Sequence, residues 1–245
     1  VIWKKFPILH VQREEWQPDK LCILNLCNMG IPMGLQYSIT AIGSLVLQTA
    51  VNGLGAMVVA GVTAAQKINM FISCPIESLG QTMAPYAGQN MGAGKIDRIG
   101  KGLKSAVLMR EFKVEAEIGM NVEVLRNTVL IAVLFGKQLT LLFVDAGETE
   151  IIAYSYQFLL FCIGGYCLLT LVNTVRFTIQ GMGFSVFAIL SGIMEMIARI
   201  LAATVVVQMI GFAGTCLAHP MAWLFADVFL IPAFFWCRKK VAKQG

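Results

Sequence analysis

The chain has 245 residues, a hydrophobic fraction of 57%, only 13% charged residues and a mean hydropathy of +0.72. A soluble domain carries about 25% charged residues, so composition excludes that class and points to lipid as the solvent. The formal net charge of +5 does not imply nucleic acid, because the basic residues form short clusters beside apolar runs, where they read as topology signals.

Residues 1–20 hold Glu14, Glu15 and Asp19 and lack an apolar core, so they read as a linker entering a membrane region, not as a signal peptide. A membrane-crossing helix needs about 20 apolar residues. Spans are expected at 21–53, 57–88, 128–144, 151–175, 184–210 and 214–236, the third being the shortest. Lys and Arg gather in the linker (Lys4, Lys5, Arg13, Lys20), between spans two and three (Lys95, Arg98, Lys101, Lys104) and in the tail (Arg238, Lys239, Lys240, Lys243). The intervening turns near Asn52 and Gly211 carry none, and the segment 137–150 has Lys137 against Asp145, Glu148 and Glu150. Alternate connections are therefore basic, which places both termini in the cytoplasm of a multi-pass cell-membrane protein. Trp3, Trp16 and Trp236 fall near the expected interfaces. The seven cysteines lie mostly inside apolar runs without CxxC or His-rich spacing, so free thiols are expected, with no metal site and no bound cofactor. No enzymatic role is expected either.

Within the first span Gln36, Thr40, Ser44, Gln48 and Asn52 recur every four residues, a spacing that stays near one helix face. Such a stripe faces protein or a water-filled cavity, and both readings stand: interhelical hydrogen bonding or cavity lining. In the second span Glu77 is an acid in otherwise apolar or weakly polar surroundings. A lone carboxylate at membrane depth is costly when ionised, so binding H+ or Na+ removes a naked charge. Pro75 lacks an N–H and releases a carbonyl near Phe71, and Gln81 shares the Glu77 face at i+4. A structural acid bonded to a neighbouring helix is the alternative. Lys67, ten residues from Glu77, is too far along the helix to pair with it.

The glycines at 88, 92 and 94 read as a tight turn leaving the second span, since no GK[ST] follows and no strand precedes them. Within residues 110–126, apolar and polar side chains mostly alternate with period two from Phe112 to Val124, and the segment carries charges that hydrocarbon would not accept. An extended cytoplasmic loop and a sequence lesion both fit. Asn173 and Arg176 close the fourth span and are expected at the cytoplasmic side. Glu195 and Arg199 stand at i and i+4, the order that favours an ion pair within one helix. His219, Trp223 and Asp227 share a face of the last span, either as a coupling site or as a hydrogen-bonded cluster.

The stretch 75–98, PIESLGQTMAPYAGQNMGAGKIDR, resembles the second helix of a half in the multidrug and toxic compound extrusion (MATE) family. The run 29–36, then Gln48, Asn52, Gly55, Ala60, Ala64, Ala65, Ile68 and Pro75, resembles the first two helices of that family's C-terminal half. Residues 1–20 resemble its central linker, and Glu195, Arg199, Gly211, Pro220 and Trp223 its last two helices. The resemblance covers most of the chain outside 110–126. It implies an all-α membrane protein, one six-helix lobe of a twelve-helix fold: linker 1–20, lobe 21–236, basic cytoplasmic tail 237–245. It further implies part of a secondary active antiporter that exchanges cationic or amphipathic drugs for Na+ or H+ by alternating access. The partners are then the bilayer, small-molecule drugs and a missing N-terminal lobe. Coupling would fall to Glu77, Gln81 and Asp227. A second family subgroup places a coupling acid in the preceding helix, where this chain has Thr40 or a near neighbour. The alternatives are a lipid-linked oligosaccharide flippase of the same superfamily, which needs a cationic cavity, and an inactive truncated remnant.

Overall fold

The computed structural model describes residues 19–107 and 122–242, and every regular element among them is helical. Helix α1 runs Lys20–Asn52, started by the Asp19 carboxylate, which accepts from the Leu21 N–H at 2.9 Å. That contact satisfies one of the orphan donors of a helix N-terminus. A turn through Gly55, whose φ of 102° favours glycine, leads to α2 at Ala56–Gly92. α3 (Ile96–Val107) is short and amphipathic: it buries Ile99, Leu103 and Ala106 and exposes Lys101 and Lys104. α4 follows at Val122–Thr140, α5 at Thr149–Gly164 and α6 at Tyr166–Gly181. α7 (Val186–Leu201) passes through a π-helical turn, Ala202–Val206, into α8 (Val207–Ile210), and α9 occupies Phe212–Val241.

Among the described residues four continuous helical stretches are long and apolar enough to cross a membrane: Lys20–Asn52, Ala56–Gly92, Val186–Ile210 and Phe212–Val241. α5 and α6 meet at Gly165 with a bend of 51° and make a fifth when counted as one span. The third expected span falls on α4, whose described apolar stretch, Val129–Thr140, is shorter than a crossing takes. The expected interruption at 110–126 lies mostly outside the described residues, and α4 begins inside it at Val122.

The structure refines three sequence readings. The glycine turn read at 88–94 falls at the end of that run: α2 continues through Pro85 to Gly92, and the chain turns at Gly94, φ 68°. The basic connection after it is helical, because the amphipathic spacing of 96–107 winds it into α3. The tail is helical as far as Val241, where Lys240 packs over the Trp236 and Phe184 rings.

α2 packs most extensively along α6, α1 along α7, and α9 along α7 and α6. Small residues permit the closest of these contacts. A Cβ on Gly80 would stand 2.7 Å from Asn173 Cβ, and one on Gly181 only 2.2 Å from the Ala84 carbonyl oxygen. The core between these helices includes Ile76, Met83, Val172, Ile179 and Leu230. With α2 and α6 this close, the polar residues near their midpoints are forced together.

Candidate ion and substrate cavity

The cavity of about 220 Å3 forms where α1, α2, α6, α7 and α9 converge. α2 contributes Glu77 and Gln81, one turn apart, and α1 contributes Tyr37. α6 supplies Asn173 and Arg176, α7 supplies Glu195 and Arg199, and α9 closes the floor with Trp223. The walls grade from exposed to buried: Tyr37, Glu77 and Gln81 are exposed, whereas Arg176, Glu195, Arg199 and Trp223 are buried.

At the buried end Glu195 holds two guanidinium groups. One oxygen accepts from Arg176 Nη2 and the other from Arg199 Nη2, the latter at 3.2 Å. The Arg199 bond is the i, i+4 pair expected on α7. Arg176 instead reaches across from α6, and it does not close that helix as expected. α6 continues to Gly181, and Asn173 and Arg176 lie inside the bundle. A buried arginine needs a buried acid, and the Glu195 carboxylate has a second oxygen to give. Arg199 also donates to the Thr40 carbonyl at 3.4 Å, tying α7 to α1.

At the open end Glu77 accepts from the Ser73 hydroxyl at 3.1 Å, its one side-chain partner among the described residues. Lys67 does not approach it and lies 5.6 Å from the Phe143 ring centroid. Asp227 is buried on α9, near enough to feel the charges of Arg176 and Glu195, and neither of its carboxylate oxygens has a partner among the described residues. It stands outside the cavity wall. His219 and Trp223 stack with ring centroids 6.0 Å apart, and His219 meets Phe158 edge-on.

The polar stripe of α1, read as either interhelical hydrogen bonding or cavity lining, does not line this cavity. Gln36 is buried and accepts from Gln180 of α6 at 3.1 Å. The Thr40 and Ser44 hydroxyls bond back to the carbonyls of Gln36 and Thr40, and Gln48 donates to Asn52 at 3.0 Å. These bonds satisfy the polar groups locally, and the cavity residue from α1 is the neighbouring Tyr37. Sequence reasoning missed Tyr37 altogether. A signal existed for Arg176: an arginine at an apolar run's end implies either an interface or a buried acid, and Glu195 was available.

Chemically, the cavity offers a carboxylate exposed at the mouth and a buried cationic pair neutralised in part by Glu195. No group of three or more His, Cys, Asp or Glu side chains that could hold a metal ion occurs among the described residues.

Comparison with known proteins agrees with this architecture. Residues 32–110, covering most of α1 and all of α2 and α3, match the MatE family model. The probable multidrug resistance protein YpnP of Bacillus subtilis is 30% identical over 96 residues, 39% of this chain and 21% of its own length. Among solved structures, a MOP superfamily transporter from Pyrococcus furiosus, described as having a binding pocket of reverse polarity that suggests a different function, superposes with a TM-score of 0.71 at 15% identity. That alignment covers 84% of this chain and 43% of the transporter. The chain therefore folds as about half of such a protein, and its match to the curated relative spans about a fifth of that relative's length.

Proposed function

We propose that this MatE family chain supplies one lobe of a secondary active multidrug efflux antiporter, and that Glu77 carries the coupling ion or proton. The observation behind this reading is the exposed Glu77–Gln81 pair at the mouth of a cavity whose inner end is charged and closed. An exposed acid on a helix apolar enough to span a membrane needs a second protein wall or water beside it. The cavity, about 220 Å3, is smaller than the roughly 300–1,000 Å3 of a drug-sized site. Both facts are accounted for if a second lobe faces this one and the drug binds between them. Alternating access then moves the lobes against each other around a site at their interface. Na+ or H+ at Glu77 neutralises the mouth and favours one orientation, and a cationic or amphipathic drug and the ion use it in turn. Gln81 supplies a second oxygen on the same face, and Asp227 is a second acid for the proton. The distribution of Lys and Arg supports cytoplasmic termini.

Export of lipid-linked diphosphates is the competing reading, since Arg176 and Arg199 put two cations on the wall. Glu195 takes both of them and Glu77 adds a second negative charge, so the cavity favours no anion. The test is Glu77→Gln in a two-lobe transporter containing this lobe. Gradient-driven drug efflux should fall at least about tenfold while drug binding persists. Coupling unchanged in that variant would remove Glu77 from the mechanism.

A further inference from the structure

A second cavity lies at the basic end of the bundle, apart from the one built around Glu77. α3, α6 and α9 leave between them a slot of about 420 Å3, walled chiefly by Leu103, Val107, Val175, Ile231, Phe234 and Phe235. Lys104 and Arg238 are the charged residues on its lining. A neighbouring hollow of about 430 Å3 shares Arg238 and adds Lys95, Arg98 and Asp97. An apolar slot thus adjoins a basic hollow, with Arg238 at the junction.

Two observations set the depth of this junction. α3 turns an apolar face to the bundle and a lysine face outward, the pattern of a helix lying in the headgroup layer. Beside it, Lys240 stands 5.0 Å from the Trp236 ring centroid, and Trp and Lys are residues of the membrane interface. The slot therefore lies where acyl chains meet headgroups. Arg238 is positioned, not loose. Its guanidinium rests on Gly100, where an added Cβ would come within 3.3 Å of it, and one Nη donates to Asp97 at 3.1 Å. Among the described residues that bond engages a small part of a five-donor fork.

We propose that the slot binds one acyl chain of an anionic phospholipid, with its phosphate held by Arg238 and Lys104. The apolar walls select a lipid over a soluble anion. Arg238, Lys104, Lys95 and Arg98 against Asp97 select an anionic headgroup over a zwitterionic one, as basic pockets between membrane helices do. The bound lipid joins α3 to α9 and α6, and so fixes the connection that follows α2.

The test uses the 245-residue chain purified in mild detergent and offered phosphatidylglycerol or phosphatidylcholine. Native mass spectrometry counts the lipid retained, and heating follows unfolding. The wild type should retain phosphatidylglycerol over phosphatidylcholine by about tenfold and unfold at a higher temperature with it. Lys104→Ala with Arg238→Ala should abolish the preference, whereas Lys239→Ala with Lys240→Ala, the same charge removed from the same end, should leave it. Val175→Trp, which plugs the slot with both cations intact, should also abolish retention, and it tests the slot independently even if the charge variant fails to fold. Glycerol phosphate should not displace the lipid. Equal retention of the two lipids, equal loss in both double variants, undiminished binding to Val175→Trp, or displacement by glycerol phosphate would each overturn the proposal.

Discussion

Two guanidinium groups share one carboxylate in this lobe, so the balance of charge around Glu195 is sensitive to single substitutions. Removing the shared acid leaves two buried cations uncompensated, a far larger effect than losing an exposed pair. Glu195→Ala should destabilise the lobe by about 3–5 kcal/mol, measured as a lower midpoint of thermal or detergent-induced unfolding. Glu77 contrasts with it, being exposed and bonded to Ser73 alone among the described side chains. Glu77→Gln should leave the unfolding midpoint unchanged within about 0.5 kcal/mol, so a loss of coupling in that variant reports on transport and not on folding. The Glu195–Arg199 pair was legible in the sequence because both partners lie on one helix at a spacing that brings them together. Arg176 was not, because its partner is on another helix and the hydropathy run suggested an interface at that point. Four-residue spacing likewise identified the α1 stripe as a face without saying what that face meets. Gln36 meets Gln180, and the cavity took Tyr37 instead.

Helix packing depends on a few positions where no side chain fits. Gly80 and Gly181 let α2 and α6 approach until an added Cβ would overlap Asn173 or the Ala84 backbone. Gly181→Val should therefore push the helices apart and cost roughly 1–3 kcal/mol, seen as a lower unfolding midpoint. Because α2 and α6 supply Glu77, Gln81, Asn173 and Arg176, the same variant should disturb the cavity. Apolar run length located most of the helices, since lipid imposes that length on any crossing. It did not reveal the bend of 51° at Gly165, because hydropathy does not change there. A Cβ at Gly165 would lie 2.8 Å from the Trp223 ring, so α9 packs directly against the α5–α6 junction. The prolines inside the expected spans do not break them: Pro75, Pro85, Pro220 and Pro232 all sit inside continuous helices, as membrane helices with neighbouring partners tolerate.

The whole molecule presents a cavity with one side open, on a chain that superposes on 43% of a MOP superfamily transporter. On the function proposed above, one lobe does not enclose its substrate, because alternating access requires two faces that open in turn. A resemblance to that family was legible in the 75–98 stretch because that segment combines a membrane acid, helix prolines and a glycine exit in one short run, and residues 32–110, which match the MatE family model, contain it. The most direct measurement reconstitutes the purified 245-residue chain into liposomes, alone and together with a complementary MatE family lobe, and follows drug flux under imposed Na+ and H+ gradients. A one-lobe chain should give no gradient-driven flux alone and acquire it with the second lobe. Gradient-driven flux from the chain by itself would contradict the half-transporter proposal.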